Sequence, residues 1–244
     1  MSTFLGVLMK KILFIGIILL GVFLIYLSSI DKKVFYLSLG DELSVGYNEF
    51  NKKDYGYSDY IKEYLVKKGK LEIYINEYFK ENLRTTDLIR IINDNEKVLI
   101  NGKSKSIKNS LIKADLVTLS IGNNDIISKL TLYKNYSDRE IYEYLDAFLI
   151  DLEELFKLIK QYCKEDIIFV GYYNNIKIIE LDKYFTYLNK KVSKLSDKYD
   201  IKYIDILNFM KDGKFTNNSL YPSKDGYINI GKQIASIIDK EILN

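Results

Sequence analysis

Histidine and tryptophan are absent from this sequence of 244 residues, and cysteine and proline each occur once. Without histidine, the chain cannot build a Ser-His-Asp triad, a Cys-His dyad or a histidine-ligated metal site. The single cysteine, Cys163, excludes an intramolecular disulfide and a cluster of thiolate metal ligands. Cys163 lies between a helical pattern and an apolar run, where we expect a packed thiol rather than a reactive one.

An excess of charge of one sign is also missing. Lysine and arginine together number 36, aspartate and glutamate 33, and the resulting net charge of +3 is spread evenly along the chain. This balance argues against a nucleic-acid partner. The 22 tyrosines are interpreted as a compositional bias rather than as an aromatic binding surface. With 48% hydrophobic and 28% charged residues, the composition indicates one globular domain with an appendage.

The appendage is an apolar segment near the N-terminus. Residues 12–30 carry no charge, follow Lys10 and Lys11, and are numerous enough to cross a bilayer as a helix. A secretory signal peptide usually has a shorter apolar core and a small-x-small cleavage site, for which YLSSID is a weak match. The segment therefore predicts an uncleaved signal anchor, that is, a transmembrane helix, with secretion after cleavage as the alternative.

The lysines beside this segment predict its orientation. The pair before it favours a cytoplasmic position for residues 1–11, although Lys32 and Lys33 on the far side weaken this bias. The domain that follows, residues 34–244, is then expected on the extracytoplasmic side and anchored to the membrane. It contains no internal repeat and no linker rich in glycine, serine or proline, so we interpret it as a single domain.

Short apolar runs alternate with amphipathic segments throughout residues 34–244. The runs are rich in β-branched and aromatic residues and several are apolar on both faces, which is typical of parallel strands covered by helices. They span residues 34–39, 71–75, 115–122, 166–173 and 201–206. The clearest amphipathic segment, residues 138–162, predicts a core-facing helix. The pattern predicts an α/β fold of flavodoxin-like type, a three-layer α/β/α sandwich around a five-stranded, mostly parallel sheet.

Four polar segments follow predicted strands or begin predicted helices. In a parallel sheet, ligands bind beyond the carboxyl ends of the strands, so we expect these segments to meet at that edge. The segments are GDELS (40–44), NLRTTDL (82–88), GNND (122–125) and NNSLYPSKDGY (217–227).

In this order the four segments resemble the sequence blocks of the SGNH or GDSL family of serine esterases and lipases. The matching positions are Gly40, Asp41, Leu43, Ser44, Gly46, Thr85, Thr86, Asp87, Gly122, Asn124, Asp125 and Pro222. The resemblance covers essentially all of residues 34–244 and implies an SGNH-hydrolase-like domain. It also implies that Asn124 is the side-chain donor of an oxyanion hole.

Four positions depart from the family pattern. Glu42 stands at the position of the nucleophilic serine, Asn218 at that of the aspartate, and Tyr221 at that of the histidine. Asn82 or Leu83 falls where the family has a glycine whose backbone N–H completes the oxyanion hole. The pocket that the resemblance implies is formed by Glu42, Asn82, Gly122, Asn124 and Asp125.

The replaced residues do not support the family's chemistry. That chemistry needs a hydroxyl nucleophile, an imidazole that takes its proton and a carboxylate that orients the imidazole. Glu42 is a poor nucleophile toward esters, Tyr221 is a poor base at neutral pH, and Asn218 carries no charge. Since losing one triad member costs on the order of 10⁴ in rate, we expect the family mechanism to be lost.

Two interpretations of Glu42 remain open from the sequence. Its carboxylate can fill the former oxyanion site, held by helix N–H groups, by the Asn124 amide and by the Tyr221 hydroxyl. Alternatively, the side chain turns to solvent in a decayed pocket.

Two further chemical roles are conceivable for this segment. Ser44 is a possible substitute nucleophile, but a first-turn serine that bonds local backbone is the favoured interpretation. Glu42, Asp41 and Asp125 could bind Mg²⁺ or Ca²⁺, although the two aspartates are expected to brace loops instead. We predict no metal and no cofactor.

The sequence thus favours a membrane-anchored pseudoenzyme that binds an acyl lipid, an acetylated glycan or an envelope protein or peptide. The alternative is an ester hydrolase that acts on lipid or cell-wall esters through altered chemistry. A third possibility is a structural domain of an envelope complex, in which residues 103–109 touch anionic headgroups. For residues 103–109 a solvated loop is the preferred interpretation.

Overall fold

The structure is a computed structural model that describes residues 17, 33–213, 215–216 and 220–243. The predicted anchor at residues 12–30, apart from Ile17, and Asn218 lie outside these ranges. No helix within the ranges combines the length and apolar character needed to span a bilayer.

Five parallel strands form the central sheet, in the order β2-β1-β5-β6-β7. Two further strands, β3 and β4, form a separate antiparallel hairpin. The strands in the described residues are β1 (Val34–Gly40), β2 (Leu71–Ile75), β3 (Lys97–Ile100), β4 (Lys103–Ser106), β5 (Leu116–Ser120), β6 (Asp166–Val170) and β7 (Lys202–Ile204). Each strand of the central sheet lies within a predicted apolar run or exceeds it by one residue, and the predicted fold class is confirmed.

Helices cover both faces of the sheet. They are α1 (Glu42–Val45), α2 (Tyr57–Lys67), α3 (Thr85–Asn93), α4 (Ile107–Lys113), α5 (Asn123–Leu130), α6 (Asp138–Tyr162), α7 (Asp182–Lys198) and α8 (Lys224–Ile237). Short 3₁₀ turns at Tyr133–Asn135, Ile179–Leu181 and Phe209–Lys211 and a π turn at Ile238–Ile242 complete the described helical elements.

The alternation of side chains along β1 separates two cores. Val34 and Tyr36 pack with α2 and α8 on one face of the sheet. Phe35, Leu37 and Leu39 pack with α3, α4, α5, α6 and α7 on the other. This period of two is the geometry of a strand that is buried on both sides, and it produces the three layers of the fold.

Helix α6 begins and ends where its sequence pattern predicts. The Ser137 hydroxyl accepts the backbone N–H of Glu140 at 3.3 Å, and the Glu140 carboxylate accepts the backbone N–H of Ser137 at 2.7 Å. This reciprocal pair is a capping box, which satisfies two backbone N–H groups at the start of the helix. Cys163 follows α6 directly and is buried, as expected of a packed thiol.

The interpretation of residues 103–109 as a solvated loop is wrong. Lys103–Ser106 is strand β4, which pairs with β3, and α4 begins at Ile107. The turn between the strands is Asn101-Gly102, and both residues have positive φ, 49° and 73°. Asn-Gly between two strand-like runs is the strongest short-range hairpin signal, so the lysine-rich composition concealed a turn that the sequence contains.

Candidate functional site

The polar segments meet at the carboxyl edge of the sheet, beside the end of β1. Helix α1 begins at Glu42, two residues after Gly40, the last residue of β1. Hydrogen bonds connect residues 40–44 with residues 82–88 and 122–125. Tyr221 also lies at this edge, because its ring centroid is 5.6 Å from that of Tyr47, the residue that follows the first block.

Two N–H donors from different segments hold the Glu42 carboxylate. One oxygen accepts the backbone N–H of Asn82 at 2.5 Å, and the other accepts the side-chain amide of Asn124 at 2.9 Å. The Glu42 residue is only 4% exposed, so its carboxylate lies inside the pocket rather than in solvent. A backbone N–H and an amide that converge on a negative oxygen are the arrangement that stabilises an oxyanion.

The sequence predicts that Glu42 accepts N–H groups of its own helix. In the structure, Asp41 accepts them instead. Asp41 is the N-cap of α1: its carboxylate accepts the N–H of Leu43 at 3.1 Å, and its carbonyl accepts the N–H of Ser44 at 2.9 Å. Asp41 therefore takes the first-turn donors, as capping aspartates do. Glu42 is held instead by groups that come from outside its helix.

Asp41 is fully buried and connects the first and third segments. Its second carboxylate oxygen accepts the backbone N–H and the side-chain amide of Asn123, at 3.2 and 3.1 Å. Burial and the neighbouring charge of Glu42 raise the pKa of Asp41 to about 8, although the bonds from Asn123 and Leu43 act in the opposite direction. Loss of solvation and a like charge both disfavour the ionised form.

Asp125 connects the third segment with the second. One of its oxygens accepts both the backbone N–H and the hydroxyl of Thr85, at 3.1 and 3.2 Å, at the start of α3. Burial raises its pKa, and the bonds from Thr85 oppose that shift. The three carboxylates of Asp41, Glu42 and Asp125 thus face separate sets of donors. Within the described ranges, no group of three or more acidic, histidine or cysteine side chains has a geometry suited to a metal ion.

Ser44 makes the local contact expected of a first-turn serine. Its hydroxyl donates to the carbonyl of Asp41 at 2.7 Å, and the residue is 1% exposed. The geometry therefore gives no support to Ser44 as a substitute nucleophile, because its hydroxyl is buried and points back to the preceding turn.

From the sequence, either Asn82 or Leu83 could supply the backbone donor of the oxyanion hole. In the structure the donor is the N–H of Asn82. Its φ is 55°, in the left-handed region that glycine adopts freely and asparagine tolerates better than most residues. Leu83 is buried, and its carbonyl accepts the Asn124 amide at 3.0 Å. The glycine of the family pattern is thus replaced here by one of the few other residues that suit the backbone.

Replacing Asn82 tests whether its backbone or its side chain matters. We expect Asn82→Gly to leave the free energy of unfolding within about 0.5 kcal/mol, because φ stays accessible and the N–H is retained. Asn82→Val is expected to destabilise by roughly 1–2 kcal/mol, since a β-branched residue is strained at positive φ. Chemical denaturation of both variants measures the difference. Equal destabilisation by the two changes would show that the asparagine side chain carries the effect.

Gly122 is the N-cap of α5 and turns the chain from β5 into the site. Its φ is 105°, and a Cβ there would lie 2.5 Å from the Phe148 ring and 2.7 Å from the Tyr172 hydroxyl. The close approach of these two buried aromatic side chains therefore requires glycine. This turn places Asn123 and Asn124 next to Asp41 and Glu42.

Tyr221 is half-buried, and its ring centroid lies 5.6 Å from that of Tyr47. Burial, followed by the charges of Glu42 and Asp41, raises the pKa of Tyr221 to about 12. The side chain is therefore a neutral phenol at physiological pH, able to donate a hydrogen bond but unable to act as a base. The predicted bond from Tyr221 to Glu42 stays a prediction, and Asn218 lies outside the described residues.

Three residues at this edge were missed from the sequence. The Tyr47 hydroxyl donates to the carboxylate of Glu81 at 2.7 Å, and the Tyr227 hydroxyl donates to the carbonyl of Tyr47 at 2.9 Å. The only signal was position, because Tyr47 directly follows the first block and Glu81 directly precedes Asn82. Their contact depends on the path of the loop after β2, which no local pattern predicts.

Solved structures to which this chain is similar include two lipases and an acetylxylan esterase. A lipase from a goat rumen metagenome has 19% identity and a TM-score of 0.67, with 82% of this chain and 95% of that chain covered. An acetylxylan esterase from Geobacillus stearothermophilus has 17% identity and a TM-score of 0.62, with 87% and 97% covered. A lipase/acylhydrolase from Enterococcus faecalis has 19% identity and a TM-score of 0.59, with 85% and 95% covered.

At these identities the structural likeness establishes the fold alone. No curated protein matches the sequence. A sequence profile described as GDSL-like Lipase/Acylhydrolase, however, matches residues 36–234, which include all of the strands of the central sheet except the first two residues of β1. The chain therefore belongs to the GDSL-like lipase/acylhydrolase family.

Proposed function

We propose that this chain is a pseudoenzyme of its family, which binds a ligand at the cell envelope without hydrolysing it. The observation that carries the proposal is the position of the Glu42 carboxylate on the N–H of Asn82 and the amide of Asn124. In an acyl-transfer enzyme, two such donors face the oxyanion of the transition state. A permanent carboxylate on the same donors leaves no place for that oxyanion.

The residues at the family's other triad positions support the same proposal. Tyr221 replaces the histidine, and with its pKa raised to about 12 it cannot accept a proton from a nucleophile near pH 7. Asn218 replaces the aspartate, and the chain contains no histidine that could take the part of Tyr221. Each replacement alone would cost a triad enzyme orders of magnitude in rate, and all three occur together.

The proposed location is the extracytoplasmic side of the membrane. Residues 12–30 would serve as a signal anchor, with residues 1–11 in the cytoplasm, or as a signal that is cleaved to release the domain. The proposed ligands are an acyl lipid, an acetylated glycan or an envelope protein. The first two classes follow from the activities of the structural neighbours, which include lipases and an acetylxylan esterase.

The alternative function is ester hydrolysis through altered chemistry, and family membership favours it. That mechanism would require Glu42 to reach a water molecule as a general base. A Glu42 that is 4% exposed and bonded to two donors favours the binding role instead, because both carboxylate oxygens are already engaged.

The native protein itself tests the proposal. The full chain in mild detergent is expected to release no nitrophenol from short-chain nitrophenyl esters above the buffer rate, and to take no label from a serine-directed fluorophosphonate. An active GDSL esterase assayed alongside serves as the positive control for both reagents. Turnover that co-purifies with the chain and is lost in Glu42→Gln would overturn the pseudoenzyme proposal and support the hydrolase.

A further inference from the structure

A groove of about 790 Å³ lies between α2 and α8, on the face of the sheet opposite α6. Its size is within the range of pockets that bind small molecules or short polymer segments. The residues that give the groove its chemistry are Tyr55, Tyr60, Tyr64, Lys67, Lys68 and Lys224. We call this surface the tyrosine groove.

Packing and hydrogen bonds hold the tyrosine rings in place. The Tyr60 ring lies against Gly231 of α8, where a Cβ would be 2.5 Å from the ring. The Tyr55 hydroxyl donates to Glu63 at 2.8 Å. All three tyrosines of the groove are partly exposed, so they offer fixed aromatic surface to a ligand. Fixed aromatic side chains provide large contact area at a low cost in conformational entropy.

The groove carries a net positive charge, and some of its lysines form no ion pair within the described residues. Lys68 pairs with Asp239 at 3.3 Å, and Glu63 already accepts the Tyr55 hydroxyl. Lys67 and Lys224 form no ion pair with any residue that the structure describes, and the Lys224 ammonium lies 5.5 Å from the centre of the Tyr55 ring. The Lys224 ammonium beside the Tyr55 ring and the Lys67 ammonium, which also lines the groove, are therefore available to an anionic ligand.

We propose that the tyrosine groove binds a sugar chain that carries anionic groups, either carboxylates or phosphates. The C–H faces of sugar rings would pack on the tyrosines, while Lys67 and Lys224 pair with the anions. A flat lipid surface fits less well, because the groove is concave and Ile228 is the one aliphatic side chain among the described residues that line it. The proposal concerns a surface that does not contain Glu42, so it does not depend on the proposed pseudoenzyme role.

Isothermal titration of the full chain in detergent tests this proposal with four probes. They are an oligogalacturonide, a neutral galactan oligosaccharide, poly(glycerol phosphate) without sugar rings, and mixed micelles of the detergent with phosphatidylglycerol. We expect the oligogalacturonide to bind most tightly and its affinity to fall as the salt concentration rises. A phosphate-bearing sugar chain that competes with it would identify phosphate as an equivalent anion.

Paired variants separate the two kinds of contact. Lys67→Gln combined with Lys224→Gln is expected to weaken oligogalacturonide binding roughly tenfold or more, which corresponds to losing two ionic contacts. Lys191→Gln combined with Lys194→Gln, on α7, is the charge-matched control and should leave affinity unchanged. Tyr55→Leu is expected to weaken binding severalfold, and Tyr55→Phe to retain it, because only the first removes the ring. Circular dichroism checks that each variant is folded.

Four results would overturn the proposal. They are equal binding of the neutral oligosaccharide, undiminished binding by the Lys67 and Lys224 double variant, equal binding of poly(glycerol phosphate) with no effect of Tyr55→Leu, and binding of the phosphatidylglycerol micelles but not of the oligogalacturonide. The last result would identify a membrane-binding surface instead.

Discussion

A triple variant that carries Glu42→Ser, Asn218→Asp and Tyr221→His is expected to gain ester hydrolysis and to react with a fluorophosphonate. The change at Glu42 removes the carboxylate and leaves the Asn82 N–H and the Asn124 amide directed at an empty oxyanion site. Histidine is smaller than tyrosine, so it can occupy the half-buried position of Tyr221 without displacing Tyr47. Turnover of short-chain nitrophenyl esters and covalent labelling of the introduced serine are the two measurements.

The matched control for this experiment differs only at the nucleophile. A variant with Glu42→Ala, Asn218→Asp and Tyr221→His has the same pocket volume to within a hydroxyl group. We expect the serine variant to exceed it by roughly 10²-fold or more in kcat/KM, since a triad acts as a unit. A serine variant that is folded, unlabelled and no faster than the alanine control would show that the two donors do not form an oxyanion hole.

The free energy of unfolding is expected to fall by a few kcal/mol as the pH rises from about 4 to about 8. Asp41 is buried beside Glu42 and has a pKa of about 8 in the folded chain, against about 3.9 when unfolded. Between these values the folded state binds a proton that the unfolded state has released, so Asp41 stabilises the fold below pH 4 and loses this contribution up to pH 8. The burial of Asp125 acts in the same direction.

The absence of histidine allows a change in stability between pH 5 and pH 8 to be assigned to buried carboxyl groups, because no imidazole titrates in that range. Urea unfolding at intervals from pH 5 to pH 8.5 measures it. Glu42→Gln is expected to flatten the curve and move its fall to lower pH, since it removes the like charge beside Asp41. Glu154→Gln, which changes an exposed carboxylate on α6, should leave the curve as it is. A native curve that stays level across this range would contradict the assignment.

Most of the sheet could be predicted because its strands are short, apolar and flanked by helical patterns. The predicted strand at residues 115–122 is longer than the observed β5, because the apolar pattern continues through Ile121 whereas pairing with β1 ends at Ser120. The β3–β4 hairpin was missed because its lysines resemble a solvated loop, although Asn101-Gly102 marks its turn. Periodicity therefore predicted the buried elements better than it predicted an exposed hairpin.

The candidate site could be predicted only in part. Glu42 and Asn124 follow strands of the sheet directly, so their positions followed from the family pattern. Asn82 lies in an irregular loop between β2 and α3, where no periodicity distinguishes it from Leu83 and only its positive φ identifies the donor. The role of Asp41 as N-cap also depends on a competition between neighbouring carboxylates, which sequence spacing does not resolve.

The bonds from Asn82 and Asn124 make Glu42 a ligand that is tethered to its own receptor. A tethered group loses little translational freedom when it binds, so it has an advantage over a free ligand that makes the same contacts. A free carboxylate would have to displace the Glu42 side chain to reach the same two N–H groups. A ligand of the native protein must therefore bind through groups other than the Asn82 N–H and the Asn124 amide, which Glu42 already engages.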